Sequence, residues 1–295
     1  MSIYSMWGAF EIGLIFGLVA LGVLISFRIL NFPDLTVDGS FPLGGATAAI
    51  LIHHGMDPFL ATLIATLAAG VAGMITGWLN VSLKIMDLLA SILMMIALYS
   101  INLRIMDAPN IPLITEPTVF SVLQPDSLDD FVARPLILLA LVIAVKLALD
   151  WFLSTQVGLA MRSTGSNPRM ARAQGIHTGR MILLGMAISN ALCGLAGALF
   201  AQSQGGADIS MGIGTIVIGL AAVIIGETIF PSRRLVVVTL AVIIGAVLYR
   251  FFIALALNAD FVGLKAQDLN LVTAVLVTVA LVIPLLKQRL SKKRA

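Results

Sequence analysis

Runs of about twenty apolar residues, separated by short polar breaks, recur along the whole chain. A helix needs about that length to cross the hydrocarbon core of a bilayer. Nine spans are predicted, at about 9–30, 36–53, 58–79, 88–106, 135–153, 181–202, 211–230, 235–257 and 268–286. No polar block between them is long enough to fold as a soluble domain of its own. A second pattern overlies the first. The stretch from Asp34 to Gly44 reads DLTVDGSFPLG, and that from Asp208 to Gly219 reads DISMGIGTIVIG. Each runs acidic, apolar, hydroxyl, apolar, then glycine-rich, although chance also produces similarity this short. The copies follow the first and sixth predicted spans, and an odd offset places them in opposite senses in the membrane. The expected fold is therefore an all-α polytopic membrane protein forming one transmembrane domain over 1–295. Repeat 1 covers about 9–106, a linking span about 135–153, a polar loop 154–180, and an inverted repeat 2 about 181–286. Inverted repeats with glycine- or proline-interrupted helices are a transporter signature, because irregular backbone at membrane depth lines a cavity.

Composition sharpens this. Of 295 residues, 59% are hydrophobic and only 11% charged, against about 25% charged in a soluble domain. Charge placement matters more than the net charge of +3, which carries no argument for nucleic acid. Alternate connections divide the cations unequally. Arg28, Lys84, the arginines of the 154–180 loop, Arg233, Arg234 and the basic tail lie on one side; Arg104, Arg134, Arg250 and Lys265 lie on the other. The positive-inside rule puts the loop and the C-terminus in the cytoplasm and the N-terminus outside. Cys193 is the only cysteine, so an intrachain disulfide and a cysteine metal site are excluded. The start lacks the basic region of a signal peptide, and the first span is expected to be retained.

The polar loop is the most informative segment. Arg162, Arg169, Arg172 and Arg180 lie in it with no acidic residue. Asn167 suits a helix N-cap, Pro168 the first helical position, and Gly175 a left-handed C-terminus. The enclosed helix is expected to be about two turns long, with Gly158, Gly165 and Gly175 bending the chain around it. Met170, Ala171 and Ala173 offer a small apolar surface. So short a helix needs something to pack against, which suggests a docking element for a cytoplasmic partner. An ordinary basic loop held by the positive-inside effect is the other reading.

The run from Gly158 to Ile176, GLAMRSTGSNPRMARAQGI, resembles the cytoplasmic coupling loop of ABC-importer permeases, in the family serving branched-chain amino acids, ribose and related solutes. Ser163 stands where an alanine is usual, and Arg172 separates Ala171 from Ala173. Asp34-Leu35-Thr36-Val37 is similar to the family's D-L-[ST]-V-G-S motif, with Asp38 inserted before Gly39-Ser40. That insertion looks closest to the subgroup proposed for aromatic amino acids. The segment Leu88–Ile105 also resembles the family's fourth-span region. The resemblance implies a cobalamin-importer-like architecture without its first helix, and an ATPase-coupling role for Arg162, Gly165, Asn167–Ala173 and Gly175. It also implies a partner ATP-binding subunit that carries ATP and magnesium, an extracytoplasmic solute-binding protein, and a pair of permeases, as a homodimer or heterodimer, in the bacterial inner membrane.

The chain contains no G-x-x-x-x-G-K-[ST], so it has no Walker loop for ATP phosphates. It also lacks H-E-x-x-H, G-x-S-x-G and S-x-x-K at plausible catalytic positions, and no cofactor or metal is expected in it. His53 and His54 read as an interfacial pair. Charges at mid-bilayer cost about 2.5–3.5 kcal/mol on insertion scales, so each needs a reason. Glu11 lies near the outer interface, and Lys146 and Asp150 are spaced to pair on one helix. Glu227 is expected to pair with Arg233 or Arg234 or to orient the polar loop. Asp34, Asp38 and Asp208 read as gating or structural groups. Ser91, Tyr99, Ser100, Asn102, Ser189 and Asn190 are candidates to face a solute path, although each could equally bond its own or a neighbouring helix. The acidic, proline-rich connection 107–134 is expected to be stiff and extended, either for contact with a solute-binding protein or as a plain linker.

These readings point to the permease subunit of an ATP-driven importer for a small solute, with an amino acid favoured, working by alternating access. An ion-coupled secondary carrier acting alone is the alternative, and the docking helix argues against it. An enzyme would need a nucleophile–base pair that the spans do not offer.

Overall fold

The computed structural model describes residues 3–124, 130–232, 234–257 and the two positions 275 and 278. Helix α1 (Ile3–Val23) runs directly into a π-helical stretch (Leu24–Ile29), and α2 (Val37–His53), α3 (Pro58–Val81) and α4 (Asp87–Met106) follow. Strand β1 (Asn110–Pro112), the short α5 (Val119–Leu123) and the long α6 (Asp130–Ser154) lead to α7 (Gln156–Ser166) and α8 (Pro168–Ala173). The chain closes with α9 (Thr178–Gln204), β2 (Gly206–Asp208), a 3-10 turn (Ile209–Gly212), α10 (Thr215–Ile229) and α11 (Leu235–Leu257).

Seven of these segments are long and apolar enough to cross a membrane: Tyr4–Ile29, Pro58–Val81, Asp87–Met106, Phe131–Ser154, Thr178–Gln204, Ile209–Ile229 and Leu235–Ala256. Two of the nine expected spans are not among them. The span at 36–53 folds as α2, only 17 residues long, and that at 268–286 lies outside the described residues except at 275 and 278. Helix α2 starts within one residue of the expected boundary, and the chain ahead of it is irregular. Asn31 sits in the left-handed region with φ 56, and the Asp34 carboxylate accepts the Thr36 N–H at 2.9 Å in a tight turn.

Helix α2 lies at the centre, almost wholly buried, with α3, α4 and α9 packed around it. Its crossing with α9 is a close one. A Cβ on Gly44 would overlap the Gly194 carbonyl, and one on Gly194 would overlap Ala69. The G-x-x-x-G of α3 works the same way, since a Cβ on Gly73 would overlap the Met186 carbonyl of α9. Elsewhere α1 packs along α11 much as α9 packs along α3.

Polar atoms tie these helices together. Ser189 Oγ donates to the Gly22 carbonyl at 2.7 Å, Gln202 Nε2 to Thr62 Oγ1 at 2.8 Å, and the Thr36 and Thr76 hydroxyls meet at 2.9 Å. Lys146 and Asp150 pair on α6 at 2.7 Å, both buried, and Thr239 of α11 donates to the same carboxylate at 2.7 Å. Outward, Leu60, Leu63, Leu67, Val71, Met74 and Trp78 form an exposed apolar stripe along α3, as a lipid-facing helix requires.

The connection after α4 is less extended than its prolines suggest. Strand β1 pairs antiparallel with β2, Ile111 opposite Ala207. Thr118 and Ser121 then form a capping box that starts α5, and the Val119 N–H donates to Gln202 Oε1 at 2.9 Å. The part of this loop at 125–129 lies outside the described residues.

Candidate functional site

The basic segment between α6 and α9 folds largely as its sequence signals. Asn167 Oδ1 accepts the Met170 N–H at 3.1 Å, Pro168 holds the first helical position, and Gly175 has φ +81. The helix α8 spans six residues. Ala171 turns inward at 3% exposure, whereas Met170 is 61% exposed. Arg162, Arg169, Arg172 and Ala173 are exposed too, so α8 presents one methionine among arginines.

Two glycines act differently from the expectation that all three bend the chain. Gly158 and Gly165 are helical residues of α7, a helix the sequence reading left inside the loop. A Cβ on Gly165 would overlap the Ile29 carbonyl, and one on Gly158 would overlap the Phe152 carbonyl. Both glycines allow close approach of backbones. Gly165 thereby seats the basic segment on the end of the π-helical stretch of α1.

Glu227 makes an ion pair as expected, with a partner other than the arginines named from sequence. Its Oε1 pairs with Arg28 Nε at 2.8 Å, and position 233 lies outside the described residues. The pair joins the π-helical end to the end of α10 and borders a cavity of about 530 Å³, whose lining also includes Asn31, Arg162, Gly165 and Ser232. The π-helical stretch, α7 and α10 thus meet beside the basic segment.

The central cavity is a separate feature, about 500 Å³, between α2, α4 and the 3-10 turn. It gathers Tyr99, Ser100 and Asn102 of the path candidates, together with Asp38. Tyr99 is 56% exposed. Asn102 is 1% exposed; its Nδ2 donates to the Gly39 carbonyl at 3.1 Å, and its Oδ1 has no hydrogen-bond partner among the described residues. The walls missed from sequence are Gly39, Pro42, Met95, Ile96, Ile209 and Ile213. Met95 and Ile96 lie one helical turn before Tyr99 and Ser100, a spacing that could have named them.

The other three path candidates lie in packed interfaces. Ser91 Oγ donates to the Leu88 carbonyl at 2.9 Å, and Ser189 bonds α1 as described. Asn190 bridges α9 to α2: its Nδ2 donates to Asp34 Oδ2 at 2.8 Å, and its Oδ1 accepts from Ser40 Oγ at 2.7 Å. Asp34 is fully buried and held by this amide and its own turn.

Asp38 and Asp208 complete the set. From α2, Asp38 Oδ1 accepts the Ile216 N–H at 2.8 Å and Oδ2 the Gly214 N–H at 3.3 Å. It therefore caps α10 across the molecule. Asp208 Oδ1 accepts the Ser210 N–H at 2.7 Å, the same two-residue carboxylate turn that Asp34 makes with Thr36. Gly212 lies against the start of α2, where a Cβ would overlap the Asp38 carbonyl.

The family described as branched-chain amino acid transport system / permease component matches residues 8–285. Over 264 residues the chain is 40% identical to the tyrosine transport system permease protein of Clostridioides difficile (strain R20291), covering 90% of this chain and 86% of that protein. It is 29% identical to the D-allose transport system permease protein AlsC of Escherichia coli (strain K12) over 241 residues, 78% of this chain and 70% of that one. It is 28% identical over 200 residues to the galactofuranose transporter permease protein YtfT of the same organism, 65% of this chain and 55% of that one. No solved structure matches the chain.

Proposed function

This chain belongs to the family of branched-chain amino acid transport system permease components, and from that premise we propose that it is the membrane-spanning subunit of an ATP-driven importer for an amino acid. One observation carries the reading. A capped six-residue helix, α8, holds Met170 and its arginines exposed at the end of a bundle of apolar helices. A helix that short is held by its surroundings rather than by itself, and a surface of one apolar anchor among cations suits a partner protein.

That partner is an ATPase subunit, which binds ATP and magnesium, since this chain has no phosphate-cradling motif of its own and takes no cofactor. Nucleotide-driven movement of α8 reaches α1 through the Gly165–Ile29 contact and α10 through the Arg28–Glu227 pair. A solute-binding protein delivers substrate at the outer face, formed by the β1–β2 pair and the connection after α4. The N-terminus is outside and the C-terminus cytoplasmic, in the inner membrane. Tyr99 and Ile96 are exposed at the mouth of the central cavity, and a second copy of the chain facing them makes a shared path.

Nine spans in two inverted repeats complete the reading. Asp34 with Thr36 and Asp208 with Ser210 make the same carboxylate turn, each at the entry to a helical segment. The α1–α11 and α9–α3 packings exchange when α1 is matched to α9 and α3 to α11. The amino-acid assignment follows the relative named for tyrosine transport, the highest of the identities reported above.

The test is assembly and transport. Arg172→Glu reverses charge at the docking surface, and Gly175→Val places a β-branched residue at φ +81. Each is expected to cut co-purification of the ATPase subunit, and ATP-dependent uptake, at least tenfold. Uptake that persists in both variants and follows an ion gradient would establish a self-sufficient carrier instead.

A further inference from the structure

The central cavity has a chemistry that neither the docking surface nor the packing explains. Its lining carries one carboxylate, Asp38, and no lysine or arginine. Asp38 accepts two backbone N–H groups at the start of α10, those of Gly214 and Ile216. A carboxylate offers about four acceptor positions, so acceptor capacity remains on a residue that lines the cavity. Two residues after Ser100 on α4 is Asn102, whose Oδ1 is a buried acceptor without a partner among the described residues. The amide's orientation is fixed by its own bond. Nδ2 donates to the Gly39 carbonyl, and a flipped amide would set two acceptors against each other. A buried acceptor left unpaired is costly, so it calls for a donor.

Two acceptors, one of them anionic, ask for a donor carrying positive charge. A ligand whose only charge is a phosphate or carboxylate would meet the Asp38 charge with no cation to offset it, whereas an amino acid brings its own ammonium group. A sugar needs donors and acceptors all around its ring, whereas Pro42, Met95, Ile96, Ile209 and Ile213 make most of the wall apolar. We propose that Asp38 and Asn102 form an amine-reading subsite that takes the ammonium group of a transported amino acid, with the apolar wall receiving its side chain. This rests on the importer reading and adds to it a substrate-binding role for two residues that sequence reading assigned to gating and to a general path. The position of Asp38 at the start of α10 suits a transporter. The positive end of that helix and its two N–H groups partly offset the carboxylate, which keeps amine binding weak enough to release.

Saturation-transfer NMR on the purified permease–ATPase complex, without binding protein or nucleotide, tests this with three probes. L-Tyrosine has both end groups, tyramine lacks the carboxylate, and 3-(4-hydroxyphenyl)propionate lacks the amine. Tyrosine and tyramine are expected to give saturable signals, and the deaminated acid one at least fivefold weaker. Asn102→Leu and Asp38→Asn are each expected to weaken the tyrosine signal at least threefold, and Asp38→Glu to restore part of it. Because the probe series uses the unaltered chain, the test stands even if a variant fails to assemble. Equal signals from tyrosine and its deaminated analogue would overturn the subsite, as would no saturable tyrosine signal, or variants that assemble and bind like the unaltered chain. A complex that assembles and imports with ATP yet shows no amine preference would overturn the subsite alone. Failure to assemble with the ATPase at all would strike the importer reading beneath it.

Discussion

Among single residues, those that hold buried polar atoms in place bear the largest predicted effects. Asn190 is the only side chain outside its own turn seen donating to the fully buried Asp34 among the described residues. Asn190→Leu leaves both that carboxylate and Ser40 short of a partner, at a cost of about 1–3 kcal/mol, measured as a lowered unfolding temperature in detergent. The Lys146–Asp150 pair is sharper still. Lys146→Met leaves a buried carboxylate without its cation and with only the Thr239 hydroxyl seen donating to it among the described residues, which costs about 3–5 kcal/mol, whereas Lys146→Met with Asp150→Leu together should be near neutral. A double-mutant cycle on thermal stability checks it, and additive losses would contradict a mutual pairing. Arg28–Glu227 differs because Arg28 is 67% exposed. Breaking it should change stability by less than about 1 kcal/mol, so any large loss of uptake in Glu227→Gln reports on coupling rather than on folding.

At the scale of elements, α8 and its tether to α1 are the parts to break. Asn167→Ala removes the cap bond to the Met170 N–H, worth about 1 kcal/mol, and should weaken ATPase association several-fold in a pull-down. Gly165→Ala should do at least as much, because its Cβ would overlap the Ile29 carbonyl. The contrast between these positions shows what a sequence discloses. Asn167, Pro168 and Gly175 were legible because capping is local, written in residues adjacent to the helix they bound. Gly158 and Gly165 were misread as bends because a glycine's identity does not separate a left-handed turn from a close approach, and close approach depends on a partner far along the chain. The same limit hid Asp38 as the cap of α10, a bond spanning 178 residues, and hid Arg28 as the partner of Glu227. Seven segments long and apolar enough to cross a membrane were legible throughout, since that needs only length and composition. Helix α2 was legible as apolar and nearly in its bounds, but the irregular backbone from Asn31 to Thr36 ahead of it was not.

Across the whole molecule, sidedness comes before transport, because α8 can meet an ATPase only on the face that holds ATP. In a Cys193→Ala background, Met170→Cys should react with an impermeant thiol reagent only from the cytoplasmic face. Ile114→Cys, on the exposed connection after β1, should react only from outside. The reverse pattern would invert the membrane orientation and remove α8 from the compartment that holds ATP. In the proposed function two regions carry separate parts. The basic segment is built on a π-helical end and helix termini. The central cavity is framed by α2, the most buried helix, and by Asp38, which fastens it to α10.

The most direct measurement is amino-acid uptake into proteoliposomes holding the permease with its ATPase subunit, supplied with loaded solute-binding protein. The account predicts uptake that requires ATP, survives collapse of ion gradients, and falls at least tenfold in Arg172→Glu together with loss of the bound ATPase. Uptake by the permease alone, driven by a proton or sodium gradient and indifferent to Arg172→Glu, would contradict it.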